Sequence, residues 1–409
     1  MDEITEFQLT FAAVTTRPYD AQVSVIAGLF FVIVLVSGLA LPLGLFAVRR
    51  FYAQPEPSDP QVWPSVAILK PVKGLDSDTK LGFESFINQD YPGELEVIFA
   101  VEGLDDPVVP LIRELQAAHP IKNIQLIDSS PRQYPMGKAN NVIAAQKAAT
   151  SEVYISADSD LIANPDDAKR LVRLLVSRPN IGAVGAIPVY RGMQDLGAGL
   201  MGAYYSPFMV LLYTVKDFFG ATDVFPGTYY AIKPEALAKA GGFERVADNI
   251  ADDSTMGAFL KINGFESVMS QVTASVPEPT KSLETLLEHQ HRWNLTYRAT
   301  LPLAVYLLEP LLHPLILALL LPLVFSLAGW SEALAWFTLG AYLVSRWFTV
   351  WSINSSVLHE PTMRRWLWWM PVSELILTIA WVHSLLQPVT VWRGEKYRIE
   401  HGGKLVRLE

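Results

Sequence analysis

Hydrophobicity in this chain is concentrated toward its two ends. Residues 23–48 form one apolar run interrupted only at positions such as Ser37 and Pro42, and residues 301–327, 333–353 and 367–391 form three more. About 20 apolar residues in a helix cross a hydrocarbon core of roughly 30 Å. The pattern therefore restricts the chain to a water-facing middle held by membrane-seeking segments. A cleaved signal peptide fits the first run less well, because the start at Asp2 and Glu3 is not a positive n-region and the run is too long. Arg49 and Arg50 follow the run directly, whereas Asp2, Glu3, Glu6 and Asp20 precede it. That asymmetry places the residues after Arg50 in the cytoplasm.

Four full crossings would return the C-terminus to the outside. Yet Arg393, Lys396, Arg398, Lys404 and Arg407 make the tail basic, which favours the cytoplasm. Residues 367–391 are the expected re-entrant or interfacial segment, since Glu374 and His383 are costly facing lipid. A net charge of -9 and the lack of a basic stripe with interleaved aromatics exclude a nucleic-acid partner. Zero cysteines exclude disulfides, thiolate zinc sites and a cysteine nucleophile.

Residues 51–64 are proline-rich and polar, a linker by composition. Strand and helix patterns then alternate: strands are expected at 66–69, 96–101, 124–127, 153–156 and 181–189, and helices at 79–89, 107–118, 138–150 and 166–177. Such alternation implies an α/β domain with a mostly parallel sheet covered by helices. Ligands in these sheets bind beyond the carboxyl ends of the strands, where Glu102 and Asp158 fall. Residues 196–219 are apolar but contain Pro207, and are expected as helices on or near the bilayer surface, a plain core helix being the alternative. A further helix is expected at 254–262. The implied domains are a tail and anchor (1–50), the linker (51–64), the α/β domain with interfacial helices (65–298), membrane helices (299–392) and a basic tail (393–409).

Three acidic stations punctuate the middle: Glu102 with Asp105 and Asp106, Asp158 with Asp160, and Asp252 with Asp253. Asp158-Ser159-Asp160 ends an apolar strand, which lifts two carboxylates to one rim. Mg2+ or Mn2+ commonly bridges such oxygens to substrate phosphates. Asp160 is the expected metal ligand, and Asp158 a ribose or metal contact; a solvated turn is the bland reading. Helix capping explains one of Asp252 and Asp253 but not both. A carboxylate beside another has its pKa pushed upward, which suits a general base near an acceptor hydroxyl. Arg292 can bind a diphosphate bidentately, and Trp293 can stack or mark the membrane interface. Lys138 can meet phosphate or base.

With Leu69-Lys-Pro-Val-Lys-Gly-Leu-Asp76, Phe86 to Asp90-Tyr-Pro92, Asp105-Asp106-Pro107, Lys138-Ala-Asn-Asn141, Asp158-Ser-Asp160, Asp252-Asp253, Arg292-Trp293 and Trp392-Arg-Gly-Glu-Lys-Tyr397 in this order, residues 64–400 resemble the ceramide glucosyltransferase family. The resemblance implies a GT-A, Rossmann-like cytoplasmic domain tethered by transmembrane helices at both ends. It also implies inverting transfer of glucose from UDP-glucose to the primary hydroxyl of ceramide with a divalent metal. It makes Asp253 the base, with Asp252, Arg292 and Trp293 beside it, and Asp160 with Asp158 the metal site. Lys70, Glu102, Lys138, Asn140, Asp158, His289 and Gln290 would then contact the donor. The Gln/Arg-X-X-Arg-Trp signature has His289 at its first position, with Gln290 one place later, and Glu102-Gly103 stands where related transferases usually have an Asp. Hopanoid-directed glycosyltransferases, which use UDP-N-acetylglucosamine and a polyol-bearing triterpenoid, share much of the pattern. A processive polysaccharide synthase and a non-catalytic membrane protein are the remaining alternatives. The absent cysteines and sorting signals point to a bacterial inner membrane.

Overall fold

The computed structural model describes residues 18–408 except 222, 224, 279, 280 and 393. Asp2, Glu3, Glu6 and Arg393, which carried part of the charge argument, lie outside the described residues. The first element, α1 (Pro18–Tyr52), is a single 35-residue helix. Only 11% of its most apolar stretch is buried, with Leu29, Val36, Leu43 and Phe46 all more than half exposed.

Alternation then proceeds as β1 (Val66–Val72), α2 (Thr79–Ile87), β2 (Leu95–Val101), α3 (Val109–Ala118), β3 (Asn123–Asp128), α4 (Gly137–Ala148), β4 (Val153–Ala157), α5 (Asp167–Val176) and β5 (Ile181–Arg191). After α6 (Leu196–Phe218) come β6 (Tyr229–Ile232), α7 (Pro234–Ala240), α8 (Asp252–Ile262), β7 (Glu266–Pro277) and α9 (Leu283–Thr300). The strands form one seven-stranded sheet in the order β3-β2-β1-β4-β6-β5-β7, parallel except where β6 runs against β4 and β5. All seven residues of β1 and all five of β4 are buried. Strands flanked by neighbours and covered on both faces need such continuous apolar runs. The apolar run of β4 ends at Ala157, so Asp158 and Asp160 emerge at the carboxyl rim. Strands β6 and β7 were not anticipated from the sequence.

Instead of short surface helices broken at Pro207, residues 196–218 form one continuous helix, and 78% of its most apolar stretch is buried. An interior proline normally costs a hydrogen bond and a clash. Here α6 is held from two sides. Ser206 Oγ accepts from the Tyr190 amide of β5 at 2.8 Å, and Phe218 meets Phe46 of α1 edge-on at 5.9 Å between centroids. At its start a Cβ on Gly199 would lie 2.1 Å from the Trp366 indole, so only glycine fits. At about 1.5 Å per residue, the 23 residues of α6 span roughly 34 Å.

The C-terminal third comprises α10 (Leu303–Leu307), α11 (Leu315–Leu327), α12 (Glu332–Ile353), α13 (Met363–Trp366) and α14 (Met370–Leu386). Ala27 and Val34 of α1, Leu321 and Phe325 of α11, and Leu339 and Tyr342 of α12 make a second apolar core apart from that of the α/β domain. Among the described residues, three helices are long and apolar enough to cross a membrane: Ala21–Tyr52, Leu196–Phe218 and Met363–Leu386. Leu303–Leu311 and Leu315–Leu327, bent by 66°, pass that test only together. The bent pair thus lies before α12, with its break between Leu311 and Leu315, while Met363–Leu386, which takes in most of the segment expected to be re-entrant or interfacial, is long and apolar enough to cross. The charge that motivated that expectation is internally neutralised: Glu374 accepts from Arg346 and, at 2.8 Å, from Tyr342 Oη. His383 Nδ1 meets His291 Nδ1 at 3.0 Å.

The described residues of 393–409, read as a basic tail, are folded, and 389–392, read as the end of a membrane helix, are a strand, since α14 ends at Leu386. β8 (Val389–Trp392), β9 (Glu395–Ile399) and β10 (Leu405–Leu408) form a three-stranded antiparallel sheet. It returns to the α/β domain, where the Leu405 amide donates to Asp248 O at 2.7 Å and the Ile250 amide to Gly403 O at 2.8 Å.

Candidate active site

A cleft of about 1120 Å³ opens at the carboxyl ends of β1 and β4 and runs along α6 and α9 to the C-terminal sheet. Eight of the residues singled out in the sequence line it: Lys138, Asp158, Asp160, Asp252, Asp253, His289, Arg292 and Trp293. Each arrives on a different structural logic. Asp158 and Asp160 follow the end of β4. Lys138 lies in the first turn of α4, and Asp252 and Asp253 in the first turn of α8, where the helix dipole favours negative charge. His289, Arg292 and Trp293 recur at helical spacing on one side of α9.

Lys138 Nζ pairs with Asp158 Oδ1 at 2.6 Å and donates to Gly227 O at 2.9 Å. Burial works against its charge, but the Asp158 and Asp252 carboxylates hold Lys138 protonated well above its usual range. Burial pushes Asp158 upward, opposed by Lys138. The short contact identifies the two as a charged pair. Asp252 is pushed up to about 7, by burial first, with Lys138 opposing and Asp253 and Asp158 adding. Asp253 is fixed by backbone amides, Gly227 N to Oδ2 at 2.8 Å and Ser254 N to Oδ1 at 2.6 Å. A Cβ on Gly227 would sit 3.1 Å from the Asp253 Cβ, so the loop approaches this closely only because it carries glycine.

The two neighbouring aspartates face different surroundings. The charge of Asp252 acts on Lys138 and Tyr230. That of Asp253 acts on Tyr213 and Lys216 of α6 and Tyr297 of α9. The second set lines the apolar reach of the cleft together with Met209 and Leu212.

His289 Nε2 is buried without a hydrogen-bond partner. Burial, with Arg292 and Lys281 nearby, keeps its imidazole neutral, well below the ordinary histidine range. Trp293 stands edge-on to Tyr205 at 4.5 Å and to His289 at 4.8 Å. The Arg292 guanidinium lies 5.1 Å from the centre of the Trp392 ring.

Four expected contacts are not among the lining residues. Gln290 is 1% exposed and turned to α6, where it accepts from Tyr205 Oη. Adjacent helical residues point about 100° apart, so His289 takes the cleft and Gln290 the interior. Asn140 braces the preceding loop through Gln133 N (3.0 Å) and Ser129 O (2.9 Å), and Asn141 is the neighbour that lines the cleft. Lys70 is fully buried beneath the rim, its Nζ on the Asp158 carbonyl and 4.0 Å from the centre of the Phe86 ring. Burial pulls it down to about 7, against Asp160 and Asp158. Glu102 engages Arg132 at 2.9 and 2.8 Å. Residues that sequence reasoning missed include Arg132 and Glu278, paired with Lys281 at 2.6 Å, and Glu395, quoted within the Trp392–Tyr397 motif, was given no role.

Among the described residues no three His, Cys, Asp or Glu side chains gather as a metal-binding group. A cation here would take substrate oxygens to complete its shell, as Mg2+ does with one or two carboxylates and a phosphate. Asp158 and Asp160 fit that role. Both line the cleft, and Asp160 is exposed with no hydrogen bond or ion pair among the described residues.

Ceramide glucosyltransferase 1 of Caenorhabditis elegans is 23% identical over 365 residues, covering 88% of this chain and 76% of that protein. The ceramide glucosyltransferase of Candida albicans is 30% identical over 129 residues, 29% of this chain and 24% of its own. Among solved structures, a mannosyltransferase from Pyrobaculum calidifontis, in complex with GDP-Man and Mn2+, superposes with a TM-score of 0.51 at 19% identity, covering 87% of this chain and 99% of that one. The likeness shows the fold, that of the GT-A glycosyltransferases. The profile of glycosyl transferase family 21 matches residues 29–405, and the chain belongs to that family of sugar-transferring enzymes.

Proposed function

We propose that this protein transfers glucose from UDP-glucose to the primary hydroxyl of ceramide, with inversion, at the cytoplasmic face of a membrane that it spans more than once. The observation carrying this reading is that Asp160 and Asp253, distant in sequence, open into one cleft that Met209, Leu212 and Tyr213 of α6 also line. Asp253 faces that side. Held by two backbone amides, it takes the proton of the acceptor hydroxyl as the oxygen attacks the anomeric carbon. General-base help of this kind contributes about 10²–10⁴-fold. The carbon–oxygen bond to the diphosphate breaks in the same displacement, so no covalent enzyme intermediate forms and the product is β-linked.

Arg292 neutralises the departing diphosphate, and the neutral His289 ring offers its unpaired Nε2 to the donor. Lys138 keeps Asp158 ionised and in place. Asp160 and Asp158 would hold a divalent cation, which when bound would neutralise charge on the diphosphate. The lipid enters from the bilayer along α6 and α9, past Met209, Leu212 and Tyr297.

The test is a matrix of UDP-glucose and UDP-N-acetylglucosamine against ceramide, a hopanoid polyol and diacylglycerol, using the full chain in lipid nanodiscs and mass-spectrometric detection. Glucosylceramide formed only with Mg2+ or Mn2+ is the expected result. Glycosylation of another lipid with none of ceramide overturns the acceptor, and transfer of N-acetylglucosamine alone overturns the donor.

A further inference from the structure

The segment Trp392 to Tyr397 has no part in the mechanism above, yet it occupies one wall of the cleft. Glu395 Oε2 accepts from Arg132 Nη1 at 2.7 Å and Oε1 from Arg132 Nη2 at 3.0 Å, while the same guanidinium holds Glu102 at the end of β2. Lys73 Nζ donates to Glu395 Oε1 at 3.0 Å and Tyr397 Oη to Oε2 at 2.5 Å. Charge-assisted contacts of this kind are about twice as strong as neutral ones and fix orientation.

The sheet that Glu395 anchors touches both other parts of the catalytic apparatus. On one side Asn249 Nδ2 donates to Gly402 O at 2.9 Å and the Ile250 amide to Gly403 O at 2.8 Å, immediately before Asp252 and Asp253. On the other, Trp392 lies against the Arg292 guanidinium, the Gly402 amide donates to Ala299 O at 2.9 Å, and His291 Nε2 meets Val389 O at 3.0 Å. One small sheet thus spans the segment before the base, the diphosphate arginine and the end of β2.

We propose that this C-terminal sheet is a working wall of the cleft and that Glu395 is a positioning residue for transfer, its clasp on Arg132 setting where Arg292 and the Asp252–Asp253 pair stand. The proposal rests on the transferase reading of the cleft. Glu395 touches no reacting atom; it acts through the sheet.

The experiment compares wild type, Glu395→Gln and Glu395→Asp as full chains in nanodiscs, by hydrogen–deuterium exchange without substrate and by steady-state kinetics. In Glu395→Gln, amides at 246–254 and 389–408 should exchange roughly tenfold faster or more, the scale of losing charged hydrogen bonds. kcat should fall by a similar factor, with a smaller change in the KM for donor, and Glu395→Asp should recover most of it. Unchanged exchange in Glu395→Gln overturns the clasp. Faster exchange with wild-type kcat overturns the positioning role. If the wild type transfers no sugar in any pairing, the function above fails, and exchange at 246–254 alone supports or overturns the clasp.

Discussion

The charges lining the cleft and the charges buried among the membrane-seeking helices are balanced differently. In the cleft, four carboxylates (Asp158, Asp160, Asp252, Asp253) face open space; Lys138 pairs directly with Asp158, while Lys70 beneath the rim and Lys216 of α6 act on Asp160 and Asp253 at longer range. Among the helices, Arg346 of α12 meets Glu374 of α14, both less than a tenth exposed, with Tyr342 and His313 closing the remaining contacts. The matched pair joins helices and leaves nothing over. The cleft is short of positive charge, and that deficit is what a cation and the Arg292 side of the site would answer when a diphosphate arrives.

The comparison breaks most sharply at Asp253. Asp253→Asn should lose about 10²–10⁴-fold in turnover while binding of UDP, measured by calorimetry, stays close to wild type; wild-type turnover would remove Asp253 as the base. Next is the helix pair. Glu374→Ala leaves Arg346 buried without its counter-charge and should cost about 3–5 kcal/mol, read by chemical unfolding in detergent. Arg346→Met with Glu374→Leu should restore most of that, and neither change should alter the pH profile of transfer.

Removing divalent metal with a chelator should weaken donor binding, and Asp160→Asn should reproduce the loss. The expected scale is at least the roughly 10- to 100-fold that even an outer-shell partner contributes to a metal site. Equal donor affinity with and without metal would contradict the role given to Asp160.

Asp252 provides a smaller effect with two opposite signs. Because burial raises it to about 7, it takes up a proton as pH falls from 8 to 6, and transfer should decline along an acidic limb that Asp252→Asn flattens. Its folded pKa lies above the ordinary 3.8, so its stabilising share is complete below about 4 and is lost as pH rises through 7. The substrate-free chain should therefore melt higher at pH 6 than at pH 8, by a margin that Asp252→Asn reduces. Smallest of all, Lys80→Ala breaks a solvent-exposed pair with Glu114 and should leave both melting temperature and turnover unchanged, since screened surface pairs contribute little.

The first half of the α/β domain was readable because its signals are local. Strands buried on both faces need unbroken apolar runs, and 66–69 and 153–156 supplied them at the core of β1 and β4. The second half was harder. β7 alternates polar and apolar residues under partial cover, and β6 has four residues, so neither offers a run long enough to stand out. Misplacement by one position at Asn140 and Gln290 came from treating a motif as a string, when one residue along a helix turns the side chain away from the cleft. The C-terminal sheet did carry a signal. Glu395 to Ile399 alternates exposed and buried positions, with Tyr397 and Ile399 inward, between Gly394 and Gly402-Gly403. Its basic residues drew attention to charge and hid the period of two. No local pattern could reveal that Glu395 would meet Arg132, since a long-range ion pair depends on the whole fold.

Helix α6 lies between the sheet and the membrane-seeking helices, pinned at Gly199 by Trp366 and at Phe218 by Phe46. A helix with its side chains is about 10–12 Å across, so α6 sets a fixed spacing between the sheet and the helices packed behind it.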